Sequence, residues 1–261
     1  MNLCSLSSGS SGNCIYVGTE DTHLLVDTGV SKKRIIDELH SLDMKPEDIQ
    51  GILITHEHSD HVKGLGNFSK KYNTPVYANI ETWNAMPKQK EKIKEENIRF
   101  FTFDNFYIGD IKIKAFPIPH DAANPCGFNL YHKNKKMSLV TDIGHINKEI
   151  ITNLEKSSFL LLESNYEPEV LKCSPYPYLL KQRIQGPNGH LSNIDAGKTI
   201  SYLSKFGLKN VMLGHLSKEN NFPELAYKTV LNELIENNVS DNIVSLNVAN
   251  RYGISPMIDI S

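Results

Sequence analysis

The sequence predicts an α/β protein built on two packed β-sheets. Short apolar runs typical of buried strands alternate with segments in which apolar residues recur at a helical period. Most of the ten histidines stand at the ends of such strands, beside Asp or Gly. Two pairs of strand-and-turn segments also resemble each other in the same order along the chain, which predicts two related halves facing each other.

The first of these echoes links Asp27 with Asp142. Residues 24–29 (LLVDTG) and 138–144 (SLVTDIG) each combine a strand, an Asp and a Gly. The second echo links His56 with His215, because residues 52–56 and 211–215 are both apolar strands that end in His. Short apolar strands resemble each other by chance. Their shared order nevertheless predicts one domain, residues 1–261, made of two pseudo-symmetric halves whose Asp and His residues converge at one sheet edge.

The elements follow from local patterns. Residues 5–13 are rich in Ser and Gly and are interpreted as a turn between two early strands, with a flexible linker as the alternative. Residues 31–42 predict a helix, because apolar residues recur at helical spacing after a Ser cap. Further helices are expected at 60–72, 81–96 with an interruption at Pro87, 194–206 and 223–237. Strands are expected at 24–26, 52–54, 76–78, 100–106, 111–116, 127–131, 137–141, 159–162, 211–213 and 243–248.

The composition excludes several classes of protein. The 261 residues are 39% hydrophobic, which is enough for one sizeable core and excludes general disorder. The 28 basic and 30 acidic residues argue against a protein that coats nucleic acid by bulk charge, although a local basic groove remains compatible. No apolar stretch approaches the roughly 18 residues needed to cross a membrane. Four scattered cysteines and no signal-peptide pattern lead us to expect a reduced, cytoplasmic protein.

Four ligand-type residues follow the strand at 52–54 within six positions: His56, His58, Asp60 and His61. Crowded imidazoles repel one another when protonated, and a desolvated carboxylate needs a compensating charge. A divalent cation satisfies both requirements, and this donor set suits zinc, manganese or iron. A solvated loop that is rich in His is the alternative.

Three further candidates lie far away in sequence. His120 follows Pro-Ile-Pro, and Asp142 and His215 each end a predicted strand. Taken singly, they are equally well explained as a loop residue, a turn former and a capping histidine. Together with the cluster they make seven O and N donors, the number that two adjacent metals need when one carboxylate bridges them.

With these residues the chain resembles the metallo-β-lactamase fold superfamily, and the resemblance covers essentially the whole chain. The resemblance implies a four-layer αβ/βα sandwich with its site at one edge of the two sheets. It also implies that Asp27 orients a ligand without binding metal. The ligand sets implied are His56, His58 and His120 for one metal, Asp60, His61 and His215 for the other, and Asp142 as the bridge.

Within the superfamily, the chain is most similar to the YycJ/WalJ group of bacterial 5′-to-3′ DNA exonucleases. The similarity is carried by residues 5–13, 119–123 (PHDAA), 189–193 (GHLSN) and 214–221 (GHLSKENN). It implies a metallo-hydrolase that cleaves the phosphodiesters of DNA, with two Zn²⁺ or Mn²⁺ ions (Fe as an option) activating the attacking water. Relatives tend to have E-x-N-H after the strand at 159–162, whereas Tyr166 stands in the His position here, so no role of that histidine carries over.

Residues beyond the metal set have candidate roles too. His190 resembles a histidine that phosphodiesterase branches use as a donor to the departing oxygen or the phosphate; an ordinary helix-start residue is the alternative. Glu163 either polarises His190 or caps its strand. Asp60 can accept a proton from the attacking water while it binds metal. Lys181 and Arg183, beside two tyrosines, are candidates for binding a DNA strand, and a solvated helix face explains them nearly as well.

Three other functions compete with a DNA exonuclease. An RNA-processing enzyme or a hydrolase of small cyclic phosphodiesters would use the same site. A hydrolase of carboxylic substrates is disfavoured by the segment around His190. A metal-stabilised, non-catalytic signalling accessory is disfavoured by the intact set of ligand residues.

Overall fold

Two mixed β-sheets pack face to face and carry the rest of the chain. The computed structural model describes residues 1–239 and 243–260, and within these ranges each sheet has seven strands. In chain order the strands are β1 (Asn2–Ser7), β2 (Cys14–Gly18), β3 (His23–Val26), β4 (Gly51–Leu53), β5 (Val76–Ala78), β6 (Ile98–Phe100), β7 (Asn105–Ile108), β8 (Ile111–Pro117), β9 (Cys126–His132), β10 (Lys135–Val140), β11 (Phe159–Glu163), β12 (Asn210–Gly214), β13 (Ser245–Val248) and β14 (Ile258–Asp259). The first sheet has the order β14-β1-β2-β3-β4-β5-β6 and the second the order β13-β12-β11-β10-β9-β8-β7.

The helices connect these strands and cover the sheets. Within the described residues they are α1 (Lys32–His40), α2 (Ser59–Val62), α3 (Leu65–Tyr72), α4 (Ile80–Ala85), α5 (Pro87–Lys90), α6 (Lys148–Leu154), α7 (Pro168–Cys173), α8 (Tyr178–Gln185), α9 (Asn193–Ser204) and α10 (Pro223–Glu236). Sequence patterns predict neither α6 nor α7, and α8 is predicted only in the alternative that places Lys181 and Arg183 on a solvated helix face. None of the helices in the described ranges is long and apolar enough to cross a membrane.

Alternating side chains of the strands enter different cores. In β3, Leu24 and Val26 lie between the two sheets, whereas Leu25 joins a core formed with α1, α3 and α4. In β11, Leu161 lies between the sheets and Leu162 packs in the core beneath α6, α9 and α10. The layers therefore run helix, sheet, sheet, helix, which confirms the predicted α/β class and four-layer sandwich.

Parallel strands of both sheets end at the same edge of the sandwich. In the first sheet β3 runs parallel to β4, and in the second sheet β10, β11 and β12 run parallel to one another. Their ends carry or precede Asp27, His56, Asp142, Glu163 and His215. Asp27, Asp142 and His215 each have a left-handed backbone, with φ of 59°, 55° and 53°. Such strained residues cluster at functional sites, and here they turn three side chains toward one gap.

The two strands of the first echo occupy equivalent positions in their sheets, whereas the two strands of the second echo do not. Strands β3 and β10 both pair antiparallel with the preceding strand and parallel with the following one. By contrast, β4 lies directly beside β3, whereas β11 separates β12 from β10. We retain one domain with two pseudo-symmetric halves as a proposal.

The predicted helix at 60–72 is interrupted. Helix α2 ends at Val62 and α3 begins at Leu65, because the backbone N–H of Gly64 donates to the Thr28 carbonyl at 2.8 Å. A Cβ on Gly64 would lie 2.3 Å from the carbonyl oxygen of Val30. The interruption therefore lets the turn after β3 lie against the His-rich segment. The predicted helix at 81–96 is likewise shorter: α5 begins at Pro87 and ends at Lys90.

The predicted antiparallel pairing around residues 109–110 is confirmed by β7 and β8, but a continuous strand at 100–106 is wrong, because the chain crosses between sheets there. Strand β6 pairs with β5 in the first sheet, and β7 pairs with β8 in the second. Between them Phe101, 7% exposed, joins the core between the sheets and stacks on Phe106 at 5.5 Å. Apolar alternation continues through the crossing, so the pattern looks like a single strand.

We predict that Gly29→Ala destabilises the fold and the site together. The N–H of Gly29 donates to the Asn13 carbonyl at 2.7 Å, and a Cβ would lie 1.6 Å from the Asp60 carbonyl oxygen. Chemical denaturation should show a loss of about 3 kcal/mol, and metal content per chain should fall. Gly207→Ala is the control: its Cβ meets nothing within 4 Å among the described residues, and the left-handed backbone at φ +88° opposes it, at about 1 kcal/mol. Equal losses in both variants would contradict the close approach at Gly29.

Candidate metal centre

Three histidines form the first donor group of the site: His56, His58 and His120. Their ligand atoms lie within 4.8 Å of one another. The Nδ1 of His120 donates to the Gly189 carbonyl at 3.0 Å, and the Nδ1 of His56 lies 3.0 Å from Thr55 Oγ1. Since Thr55 Oγ1 donates to Asp27, it accepts from His56. Both rings therefore keep Nε2 free of a proton and available as a metal ligand.

Asp60, His61 and His215 form the second donor group, again within 4.8 Å. The Nδ1 of His61 donates to Asp27 Oδ2 at 2.7 Å, and the Nδ1 of His215 donates to Glu163 Oε1 at 2.7 Å. Each buried carboxylate thus fixes the orientation of one ring. The Oδ2 of Asp60 lies 3.7 Å from His61 Nε2 and 3.6 Å from His215 Nε2.

Asp142 lies between the two groups. Its Oδ2 is 3.0 Å from His61 Nε2, and its Oδ1 is 3.7 Å from His120 Nε2. A further set of converging donors joins Asp142 to His56 and His61. The side chain of Asp142 is 3% exposed, so solvent does little to screen its charge. This is the position that a carboxylate bridging two cations would occupy.

Several donor atoms of the site are buried and have no hydrogen-bond partner in the part of the chain that the structure describes. They are the Nε2 atoms of His56, His120 and His215 and the Oδ2 of Asp142. Leaving a buried polar atom unpaired costs about 1–3 kcal/mol. Lone pairs of imidazole nitrogen and carboxylate oxygen are the donors that divalent cations bind. The cluster therefore fits a divalent metal ion on the chemistry of its own atoms.

The charges within the cluster shift the pKa values of its members in different directions. Burial and the neighbouring histidines hold the pKa of His56 well below its ordinary value. Burial disfavours the charged form of His61 too, but the carboxylates of Asp142 and Asp27 outweigh it and raise the pKa of His61 well above its ordinary value. Against burial, His215 and His61 hold the pKa of Asp142 well below its usual range. A carboxylate this deeply buried keeps its charge only beside positive groups, whether protons or metal ions.

Glu163 joins His190 to the metal ligands. Its carboxylate is fully buried, and Oε1 accepts from His190 Nδ1 at 2.9 Å as well as from His215. The Oε2 accepts from the backbone N–H groups of Ile143 and Leu191, at 2.7 and 3.1 Å. His190 and Glu163 also converge with Asp142 and His215. Because the carboxylate occupies the Nδ1 atoms of both histidines, this set is a hydrogen-bonded network and not a third ligand group.

The two candidate basic residues on α8 differ in position. Arg183 Nε donates to Asp121 Oδ2 at 2.6 Å, and the side chain borders a cavity of about 200 Å³ that also includes His190. Lys181 instead donates to the Lys172 carbonyl at 2.7 Å and does not line this cavity. Residues two apart on a helix point to nearly opposite sides. Arg183 is therefore the one of the two that borders this cavity, and strand binding by Lys181 stays a prediction.

The Ser/Gly-rich segment reaches the site. It forms a turn between β1 and β2, as predicted, and the linker alternative is excluded. Ser8 Oγ accepts from the backbone N–H of His215 at 2.8 Å, and Asn13 Nδ2 lies 3.1 Å from His61 Nε2. The individual contacts of Ser8, Asn13 and Asp121 were not predicted, although the first two lie in a segment singled out by its composition.

Tyr166, which stands where relatives tend to have histidine, is a buried residue. It is 6% exposed and forms an isolated bridge with Ser192, and its carbonyl accepts from the N–H of Asn193 at 2.9 Å. Burial raises the pKa of Tyr166 to about 12. The tyrosine therefore supports the segment that precedes α9.

Comparisons with known proteins agree with this geometry. The model of the Metallo-beta-lactamase superfamily matches residues 8–190. The chain is 40% identical to Exodeoxyribonuclease WalJ of Streptococcus pneumoniae over 234 residues, covering 88% of this chain and 87% of that protein. It is 39% identical to Exodeoxyribonuclease YycJ of Bacillus anthracis over 232 residues, covering 88% of each. Among solved structures, Zn²⁺-bound PqqB of Methylobacterium extorquens covers the whole of both chains with a TM-score of 0.74 at 14% identity, a likeness of fold.

We expect Asp27→Asn to weaken metal binding on the order of 10- to 100-fold. The amide can present N–H to His61 Nδ1, which favours the tautomer with its proton on Nε2, the atom facing the site. Titration of metal-free protein with Zn²⁺ measures the affinity. Asp110→Asn is a matched control, because Asp110 pairs with His132 at 3.0 Å away from the centre. Unchanged Zn²⁺ affinity in Asp27→Asn would remove this residue from the site.

Proposed function

Because the chain belongs to the metallo-β-lactamase superfamily, we propose that it is a metal-dependent phosphodiester hydrolase that degrades DNA from the 5′ end. The names of the two exodeoxyribonucleases that align with 88% of the chain support DNA as the substrate. The two donor groups around Asp142 support a pair of divalent ions, zinc or manganese.

The contact between Glu163 and His190 supports phosphodiester cleavage most directly. A departing sugar oxygen is a poor leaving group and needs a proton. Burial disfavours a charged His190, but the Glu163 carboxylate outweighs it and raises the pKa of His190 above its ordinary value. With Nδ1 bonded to Glu163, the opposite nitrogen, Nε2, is the atom that delivers a proton.

The residues of the cluster divide the remaining tasks. His56, His58 and His120 would hold one ion, Asp60, His61 and His215 the other, and Asp142 would contact both. When bound, the ions supply charge for the non-bridging phosphate oxygens and lower the pKa of the attacking water. Asp60, whose side chain is 24% exposed, would accept the proton of that water. Asp27 and Glu163 keep the rings of His61 and His215 oriented.

The proposal is tested with end-labelled single- and double-stranded DNA, RNA, a cyclic dinucleotide and bis-p-nitrophenyl phosphate, each with Mn²⁺ and with Zn²⁺. We expect protein never exposed to chelator to contain two divalent ions per chain and to shorten DNA from the 5′ end. Asp142→Ala is the control that should lose both activity and metal while remaining folded. Preferential cleavage of RNA or of the cyclic dinucleotide would mean that this molecule, and not DNA, is the substrate. Inactivity on every phosphodiester would refute the proposal.

His190→Ala separates leaving-group chemistry from metal binding. The variant should keep its metals and slow DNA cleavage on the order of 10²- to 10⁴-fold. Hydrolysis of bis-p-nitrophenyl phosphate should fall much less, because p-nitrophenolate leaves without a proton. The measurements are the cleavage rates of both substrates and, in parallel, the metal content of the variant. Equal losses would indicate that His190 binds the phosphate, and loss of metal would make it a ligand.

A further inference from the structure

A cavity of about 200 Å³ opens beside His190, on the side of the metal centre that faces α8. Its walls come from separate parts of the chain: the Ser/Gly-rich turn, the segment after His120, the segments around Tyr166 and His215, and α8 with the turn before it. Pockets that hold drug-sized ligands occupy about 300–1,000 Å³. Since about 200 Å³ lies below that range, the cavity has room for the base and sugar of one nucleotide and excludes a longer stretch of strand.

This cavity, called the α8 cavity below, has one apolar wall and one polar wall. Leu180 and Ile184, one helical turn apart, and the ring of Tyr176 form the apolar wall. Ser10, Asp121 and His190 contribute to the polar side. An aromatic and aliphatic surface contacts the face of any base, since stacking does not read hydrogen-bond edges.

Arg183 supplies positive charge at this cavity. Its Nε is held by Asp121, and among the described residues no hydrogen bond is made by its Nη atoms. The side chain is 63% exposed. A guanidinium that is anchored at Nε and open at its outer nitrogens presents two N–H groups to a phosphate.

We propose that the α8 cavity holds the terminal nucleotide of the DNA strand, with its base against Tyr176, Leu180 and Ile184 and its phosphate beside Arg183. This inference rests on the proposed function. The cavity borders His190, so its occupant is the leaving group. Water forms the new bond to phosphorus, the bond from phosphorus to O3′ breaks, His190 gives its proton to O3′, and Asp60 takes the proton of the water. The nucleotide that carries the departing O3′ is the one at the 5′ end, which gives single nucleotides as products.

Calorimetry on metal-loaded protein tests the cavity without relying on turnover. The ligands are dAMP, dTMP and inorganic phosphate. We expect both nucleotides to bind more tightly than phosphate and with similar affinity to each other. Leu180→Trp should weaken dAMP binding more than tenfold by filling the cavity, and Arg183→Gln should weaken it about tenfold. Phosphate, which can bind at the metals alone, should bind Leu180→Trp as it binds the unaltered protein.

The chain offers matched controls on the same helix. Leu179, 77% exposed, and Lys181 lie outside the cavity, so Leu179→Trp and Lys181→Gln should bind dAMP normally. Normal dAMP binding by Leu180→Trp and Arg183→Gln would overturn the inference even if the protein degrades DNA. Equal losses of phosphate and dAMP binding in Leu180→Trp would mean that this substitution disturbs the metal centre, and Arg183→Gln then decides: normal dAMP binding in that variant overturns the inference. If the nuclease assays fail but dAMP binding depends on Leu180, the cavity stands and the proposed reaction falls.

Discussion

The buried carboxylate of Glu163 is the group on which the rest of the site depends. Removing an ionised carboxylate from water costs several kcal/mol unless hydrogen bonds and positive charge replace the lost hydration. Here the replacement comes from His190, His215 and the backbone N–H groups of Ile143 and Leu191. These donors belong to the loop after β10, the segment before α9 and the end of β12. Satisfying one charge therefore fixes the relative positions of three segments.

The first sheet has a counterpart to this arrangement in Asp27. That carboxylate is 1% exposed and accepts from the Thr55 backbone, the Thr55 hydroxyl and the ring of His61. Each sheet thus contributes one buried carboxylate, next to the end of a parallel strand, and each carboxylate orients one histidine by its Nδ1. The free ring nitrogens then meet in the gap between the sheets. A change in the packing of the two sheets would therefore separate His61 from His215.

Local sequence patterns predict much of this architecture because they report short-range properties. Apolar runs ending in His or Asp identify strand ends, and parallel strand ends share a sheet edge, so Asp142 and His215 were correctly placed beside the His-rich segment. Their role as ligands stays a proposal. Other features depend on contacts that no local pattern encodes. The crossing at 101–104 keeps its apolar alternation and therefore resembles a strand. The break at Gly64 depends on a hydrogen bond to a carbonyl of a different segment. The unequal positions of Lys181 and Arg183 depend on where α8 lies.

Helix α8 contributes no buried residue to any core, in contrast to the strands that carry the metal-binding candidates. Substitutions on exposed helical surfaces usually change stability by less than about 0.5 kcal/mol. The wall that would face the substrate is therefore free to diverge in evolution, while the donor cluster is constrained by two sheets and two buried carboxylates. A changed side chain on this one helix therefore alters the wall of the α8 cavity and leaves in place the strands that carry the donor cluster.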